Sequence, residues 1–193
     1  MKTLTFDWNC VVSAEKRDVQ SRYVQRLVDL HLAKQVDVAI TTISASESLP
    51  GSKTLCQSAE QFNDRLEKLG WSELTILFGP LIWDLTYWDM ARFVDSDAYE
   101  KLIDDIWAII GGIQVRQLPA SVTTDLLHSS EMKKWRNVWC DVHTLWTHLD
   151  ADRDVFITTN TRDFQNKFSE LQSLGLRSIK TPEEMVVELS RNS

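Results

Sequence analysis

The stretch from residue 3 to residue 41 opens on Thr3-Leu4-Thr5-Phe6-Asp7 and closes on Val36-Asp37-Val38-Ala39-Ile40-Thr41. Both ends are short, apolar and rich in β-branched residues, the composition of buried strands. Between them Val19, Tyr23, Leu27 and Leu30 recur at three-to-four spacing among Ser, Arg and Gln, which predicts an amphipathic helix. Strand, helix and strand in this order predict a parallel α/β unit, because a helical crossover returns the chain in the same direction.

The same alternation extends outward. Pro50-Gly51-Ser52 breaks the chain; a helix follows with Ala59, Phe62, Leu66 and Leu69 inward and Gly70 as its stop. Thr75 to Phe78 reads as a strand closed by Gly79-Pro80, and Tyr99, Leu102, Ile103, Ile106, Trp107 and Ile110 form a helical stripe stopped by Gly111-Gly112. Ile113 to Leu118 reads as a strand ended by Pro119. From Met132, the positions Trp135, Val138, Trp139, Val142, Leu145, Trp146 and Leu149 cover a wide face of a long helix. Asp154 to Thr159 is the next buried strand, and Phe164, Phe168, Leu171 and Leu174 the next helix, stopped by Gly175. Thr181-Pro182-Glu183-Glu184 starts the last helix, with a threonine cap, proline at the first helical position and acids in the first turn. The expected fold class is α/β: a single three-layer α/β/α domain over residues 1–193, with a central, mostly parallel sheet and an enlarged helical insertion at 70–118.

Composition narrows the function classes. With 21 basic and 28 acidic residues, the net charge is −7, so a globally basic nucleic-acid footprint is absent and any such contact needs a local patch or a bridging metal. Residues 1–40 carry 6 Lys or Arg against 5 acids, whereas 76–112 carry Arg92 and Lys101 against seven acids, so the second stretch is not the nucleic-acid surface. The start has no signal-peptide run and no long apolar span follows, which predicts a cytoplasmic protein off the membrane. Cys10, Cys56 and Cys140 have no disulfide or zinc spacing and read as reduced, buried thiols. Eight tryptophans at helical spacing read as core. His128, His143 and His148 lack an accompanying Ser or Cys motif, and neither a dinucleotide-binding glycine fingerprint nor a phosphate-binding loop occurs.

Chemistry in a parallel sheet gathers beyond the carboxyl ends of its strands. Asp7 follows the first strand, Glu47 comes after the second and the polar stretch Ile43-Ser-Ala-Ser, and Asp163 lies past Val155 to Thr159. Asp141 falls within the long helix beside its apolar face, where ionisation is costly unless something positive pairs with it. A divalent cation would supply that charge, and carboxylates gathered at one sheet end suit Mg²⁺ or Mn²⁺. The chemistry that follows is phosphodiester hydrolysis by a metal-activated water.

Four segments, Asp7-Trp-Asn-Cys-Val-Val-Ser13, Ile43-Ser-Ala-Ser-Glu47, Asp141-Val-His-Thr-Leu-Trp and Phe156-Ile-Thr-Thr-Asn-Thr-Arg-Asp-Phe164, resemble in order and spacing the PIN domain, a fold of metal-dependent ribonucleases. Ile179-Lys-Thr-Pro-Glu-Glu-Met resembles its tail strand and final helix. The resemblance implies catalytic, metal-holding acids at Asp7, Glu47, Asp141 and Asp163. It also implies Asn9 and Ser13 steadying the first aspartate and its metal water, and Asn160 beside the fourth acid. One family variant puts the fourth acid where Thr161 stands, so either Asp163 serves or the site has three acids. The implied activity is a Mg²⁺- or Mn²⁺-dependent endoribonuclease acting on single-stranded or structured RNA, with Lys16, Arg17, Arg162 and Lys167 as candidate phosphate holders. Membership among the toxin components of toxin–antitoxin pairs would add a small antitoxin and a second copy of the chain, as a homodimer, as partners. The competing expectation is a catalytically degenerate PIN fold whose hydrophobic insertion binds a protein.

Overall fold

The computed structural model describes residues 1–46, 59–82, 85–86, 88–94, 97–117, 130–162 and 164–191. The chain forms β1 (Lys2–Phe6), α1 (Trp8–Lys16), α2 (Ser21–Leu32), β2 (Val36–Thr41), α3 (Ala59–Lys68) and β3 (Thr75–Leu77). It continues through β4 (Gly79–Pro80), β5 (Ala91–Arg92), α4 (Asp97–Ile110), α5 (Ser130–Asp150), β6 (Val155–Ile157), α6 (Phe168–Gln172), β7 (Ile179–Lys180) and α7 (Pro182–Arg191). Short 3₁₀ turns cover Thr42–Ser46, Trp88–Met90 and Gln165–Lys167. A five-stranded sheet runs in the order β3-β2-β1-β6-β7, every pair parallel.

Alternation along the strands builds two cores, one on each face. Leu4, Phe6, Val38, Ile40, Val155 and Ile157 share the first with Val24, Leu27 and Val28 of α2, Phe62 and Leu66 of α3 and Met185 of α7. On the other face Phe156 packs with Ile103 and Ile106 of α4, Val142, Leu145 and Trp146 of α5, and Leu171 of α6. The result is the expected three-layer α/β/α architecture. Trp8, Trp71, Trp107, Trp135, Trp139 and Trp146 are all buried, and Cys10 and Cys140 are buried free thiols. No described helix is long and apolar enough to cross a membrane.

Buried Arg153 fastens the amino ends of the strands. Its guanidinium donates to the Asp37 carboxylate at 2.8 Å and to the Leu4 and Asp37 carbonyls at 2.9 and 2.7 Å. Burial alone would raise the Asp37 pKa, but the Thr75 hydroxyl at 2.6 Å and Arg153 hold it below the usual carboxylate value. At the last helix Thr181 and Glu184 form a reciprocal cap: the Glu184 carboxylate accepts from the Thr181 N–H at 2.7 Å and the Thr181 hydroxyl from the Glu184 N–H at 3.2 Å.

The fold departs from the sequence reading in several places. The helix expected from Phe164 to Leu174 is a 3₁₀ turn at Gln165–Lys167 followed by the short α6, and Gly79-Pro80, expected to close a strand, is itself β4, paired in parallel with β5. Helix α1 was not expected; it is only 9 residues long, and its buried Trp8, Cys10 and Val11 give too short an apolar stripe to stand out. Val19 is 72% exposed and precedes α2, whose core face is Val24, Leu27, Val28 and Leu30. The expected strand over 113–118 is absent across its described residues, 113–117. Gly112 turns the chain with φ +61°, and a Cβ at Gly111 would collide with the Trp107 ring and sit 2.5 Å from its carbonyl oxygen. The carbonyls a strand would use are taken instead by indoles: Trp107 Nε1 donates to Gln114 at 2.7 Å and Trp135 Nε1 to Val115 at 3.0 Å. The expected break at Pro50-Gly51-Ser52 lies outside the described residues.

Candidate functional site

Asp7 directly follows the central strand, and its N–H donates to the Ile157 carbonyl at 2.9 Å, prolonging the ladder. It occupies the N-cap of α1, yet its side chain makes no capping hydrogen bond. The carboxylate is wholly buried. Its Oδ2 accepts from the Thr158 hydroxyl at 2.7 Å and from Asn9 Nδ2 at 2.8 Å, while Oδ1 is buried with no hydrogen-bond partner. Burial pushes the Asp7 pKa above its ordinary value; the Thr158 and Asn9 side chains and the Trp8 and Asn9 amides pull the other way and do not offset it. A carboxylate in this state is poised for a positive partner.

Thr158 links two parts of this site. Its hydroxyl gives its proton to Asp7 and accepts the Asn160 N–H at 2.9 Å, so the turn after β6 and the carboxylate share one side chain. Asn9 links Asp7 to the surface. It lines a cavity of about 320 Å³ together with Asp141 and Asn160, closed by Gln114, Lys134, Asn137, Val138 and Arg162. Asp141 comes from the half-buried flank of α5, one turn beyond Asn137. Asn9, Asp141 and Asn160, which the sequence places far apart, therefore meet at the carboxyl end of the sheet, with Asp7 enclosed behind Asn9.

The remaining expectations divide. Glu47 and Asp163 lie outside the described residues, as do Cys56 and His128. Ser13 is buried on α1, but its hydroxyl donates to Asp18 and not to Asp7. Of the proposed phosphate holders, Arg162 lines the cavity, whereas Lys167 pairs with Glu170 at 3.4 Å. Thr158, Lys134, Asn137 and Gln114 were not singled out from the sequence. Lys134 and Asn137 precede Asp141 by seven and four positions, so helical periodicity could have found them. Gln114 needed the turn at Gly111-Gly112.

The donors that line the cavity are hard and oxygen-rich, the Asp141 carboxylate and the side-chain amides of Asn9 and Asn160, while the Asp7 carboxylate is enclosed and does not line it. Such oxygen donors match Mg²⁺ or Mn²⁺ in kind. Among the described residues no group of three or more His, Cys, Asp or Glu is placed to hold a metal ion. Nucleophilic and histidine chemistry are poorly served here. Burial, with Asp7 nearby, lifts the Cys10 thiol well above its usual pKa, and burial takes His143 and His148 down to about 3. His143 Nδ1 donates to the Trp139 carbonyl at 2.7 Å, and His148 Nδ1 lies 2.9 Å from the Thr5 hydroxyl.

In comparisons with known proteins, no family model and no curated protein matches this sequence. Fold and site together define an α/β/α protein with an enclosed carboxylate at the end of its central parallel strand.

Proposed function

We propose that the chain is a Mg²⁺- or Mn²⁺-dependent endoribonuclease of the PIN type. The observation that carries this reading is Asp7: a wholly buried carboxylate with one oxygen held by Thr158 and Asn9 and the other without a partner, joined through Asn9 to a cavity that Asn9 and Asp141 line. Asp7 and Asp141, with Glu47 and Asp163 from the sequence resemblance, would hold the cation. When bound, such an ion lowers the pKa of a coordinated water and stabilises charge developing on a phosphodiester. The chain's own groups do the rest. Thr158 and Asn9 fix the Asp7 rotamer, and the start of α1 places the carboxylate at the positive end of a helix, which favours its ionised form. Lys134 and Arg162 bring positive charge to the lining beside Asp141, which draws a phosphodiester toward it in an otherwise acidic protein. The amides of Asn137, Gln114 and Asn160 offer hydrogen bonds to sugar and phosphate oxygens.

The test is cleavage of a mixed single-stranded RNA pool with Mg²⁺ or Mn²⁺, with Mn²⁺ binding followed by calorimetry. Asp7→Asn and Asp141→Asn keep the side-chain shape and remove the charge, so both should stay folded and lose about 10²-fold or more in rate. A folded parent that neither cleaves RNA nor binds Mn²⁺ would refute the enzyme reading and leave the protein-binding alternative.

A further inference from the structure

Helix α5 overshoots the sheet. Its Thr144 hydroxyl lies 3.3 Å from that of Thr41, and its His148 Nδ1 lies 2.9 Å from the Thr5 hydroxyl. Thr5 is level with Ala39 in the β1–β2 register, two residues before Thr41, so four residues of helix descend as far as two of strand and α5 runs antiparallel to the sheet. Asp7 follows Phe6, which pairs with Ile40, and is therefore level with Thr41 and Thr144. At the rise of an α-helix, Asp141 stands about 4.5 Å beyond that level and Lys134 about 15 Å beyond it. The turns of α5 that carry Lys134 and Asn137 thus project past the strand ends.

Lys134, Asn137 and Asp141 occupy positions i, i+3 and i+7 on one helix face, and all three line the cavity of about 320 Å³. Lys134 and Asn137 are exposed and Asp141 is half-buried. Asn9 and Asn160, tied to Asp7 and Thr158 at the strand ends, complete the cavity at its Asp141 end. The trough therefore has carboxylates at its inner end and an ammonium at its outer end. Helical side chains lean toward the amino end of their helix, which carries the Lys134 ammonium further out still.

We propose that the outer end of this trough is a second phosphate subsite, where Lys134 holds a neighbouring backbone phosphate of a single-stranded RNA whose scissile phosphate is positioned at Asp141. It rests on the nuclease reading only for that placement of the scissile phosphate. Lys134 and Asp141 are separated by about 10.5 Å along the helix axis, whereas a cation meets its oxygen ligands at about 2.1 Å and an ammonium hydrogen-bonds at about 2.9 Å. One phosphate cannot meet both the ion at Asp141 and the outward-leaning ammonium. An RNA strand carries a charge on every nucleotide and can bring one phosphate to each. Asn137, between the two, offers its amide to the sugar that links them. In a protein of net charge −7, a cation fixed beside the site is the local attraction a polyanion needs. The substrate class that follows is an oligonucleotide with at least two backbone phosphates.

The experiment is fluorescence anisotropy of a labelled decauridylate with the full chain in EDTA, over a range of KCl concentrations, for the parent, Lys134→Met and Lys134→Arg. Lys134 is exposed, so both variants should keep the parent's far-UV spectrum and Tm. Loss of one single-strand phosphate contact should reduce the slope of log K against log salt by about 0.7, which is about a fivefold change in the parent-to-variant affinity ratio for each tenfold change in salt. Lys134→Arg should retain the parent's slope. With Mn²⁺ present, Lys134→Met should raise KM for the decauridylate with little change in kcat, and should leave cleavage of the dinucleotide UpU, which has a single phosphate, as it is in the parent. Binding in EDTA reads the subsite without the cation. A parent that binds RNA through Lys134 but cleaves nothing refutes the nuclease reading and supports the subsite; one that cleaves while Lys134→Met leaves the salt slope unchanged does the reverse. The subsite is also overturned if the parent fails to bind decauridylate at low salt, if decaglutamate binds as tightly, or if Lys134→Met slows UpU cleavage as much as decauridylate cleavage.

Discussion

Replacing Thr158 by Val tests the reasoning about Asp7 most directly. The two side chains have nearly the same shape, so the change removes a hydroxyl from a fully buried position and little else. Two hydrogen bonds go with it. The first, at 2.7 Å to the Asp7 carboxylate, is charge-assisted and contributes about 1.5 to 3 kcal/mol; the second, at 2.9 Å from the half-buried Asn160 N–H, contributes about 1 kcal/mol. The expected loss is therefore about 3 kcal/mol, and for a chain of 193 residues this lowers Tm by roughly 6 to 12 °C. Urea titration in EDTA at pH 7.5, followed by circular dichroism and tryptophan fluorescence, gives the number. A double-mutant cycle isolates its cause: in an Asp7→Asn background the bond becomes neutral, so Thr158→Val should cost about 1 kcal/mol less than in the parent. A Thr158→Val variant within about 0.5 kcal/mol of the parent, or an equal loss in both backgrounds, would refute the account of how the carboxylate is held.

Other expectations concern the rest of the frame. His148 is buried with a pKa of about 3 in the fold against 6.5 ordinarily, so between those values the unfolded chain binds the extra proton and stability falls as pH drops from 6.5 toward 3. His148→Gln should flatten that acid limb by about one proton, roughly 1.4 kcal/mol per pH unit, in denaturant titrations from pH 7 to pH 4.5; an unchanged slope would count against the assignment. Arg153→Met should destabilise by about 3 kcal/mol or more, because it strips the Asp37 carboxylate of its cation and two carbonyls of their donor; a guanidinium midpoint equal to the parent's would contradict this.

The strands Lys2–Phe6 and Val36–Thr41 and the helices Asp97–Ile110, Ser130–Asp150 and Pro182–Arg191 were legible in the sequence because each depends on local information: an apolar period of 2 or 3.6, a cap or a stop. Asp7 was legible for a related reason, since the carboxyl end of a parallel strand is a short and predictable distance from its last apolar residue; Asp141 stood out as an acid beside the apolar face of a helix, and Asn9 and Asn160 came from the family resemblance alone. Elements governed by distant partners were not legible. Residues 113–117 have the β-rich composition of a strand, yet the indoles of Trp107 and Trp135 take two of their carbonyls, and nothing within the segment encodes those donors. Thr158 looked like the end of a strand, and only the pairing of β1 with β6 puts its hydroxyl against Asp7.

By itself, then, the sequence determined the α/β class, the parallel order of strand and helix, the burial of Trp107, Trp135, Trp139 and Trp146 and the place of Asp7 beyond the first strand. Those properties follow from hydrophobic period and terminal chemistry, which act over a few residues. Tertiary structure alone decided that Asp7 is enclosed behind Asn9 with one oxygen unpaired and that Lys134 shares a cavity with Asp141 and Asn160. Each is set by which strands pair and how far α5 is rotated against the sheet. These are choices made by packing between residues distant in sequence, where no local pattern constrains them.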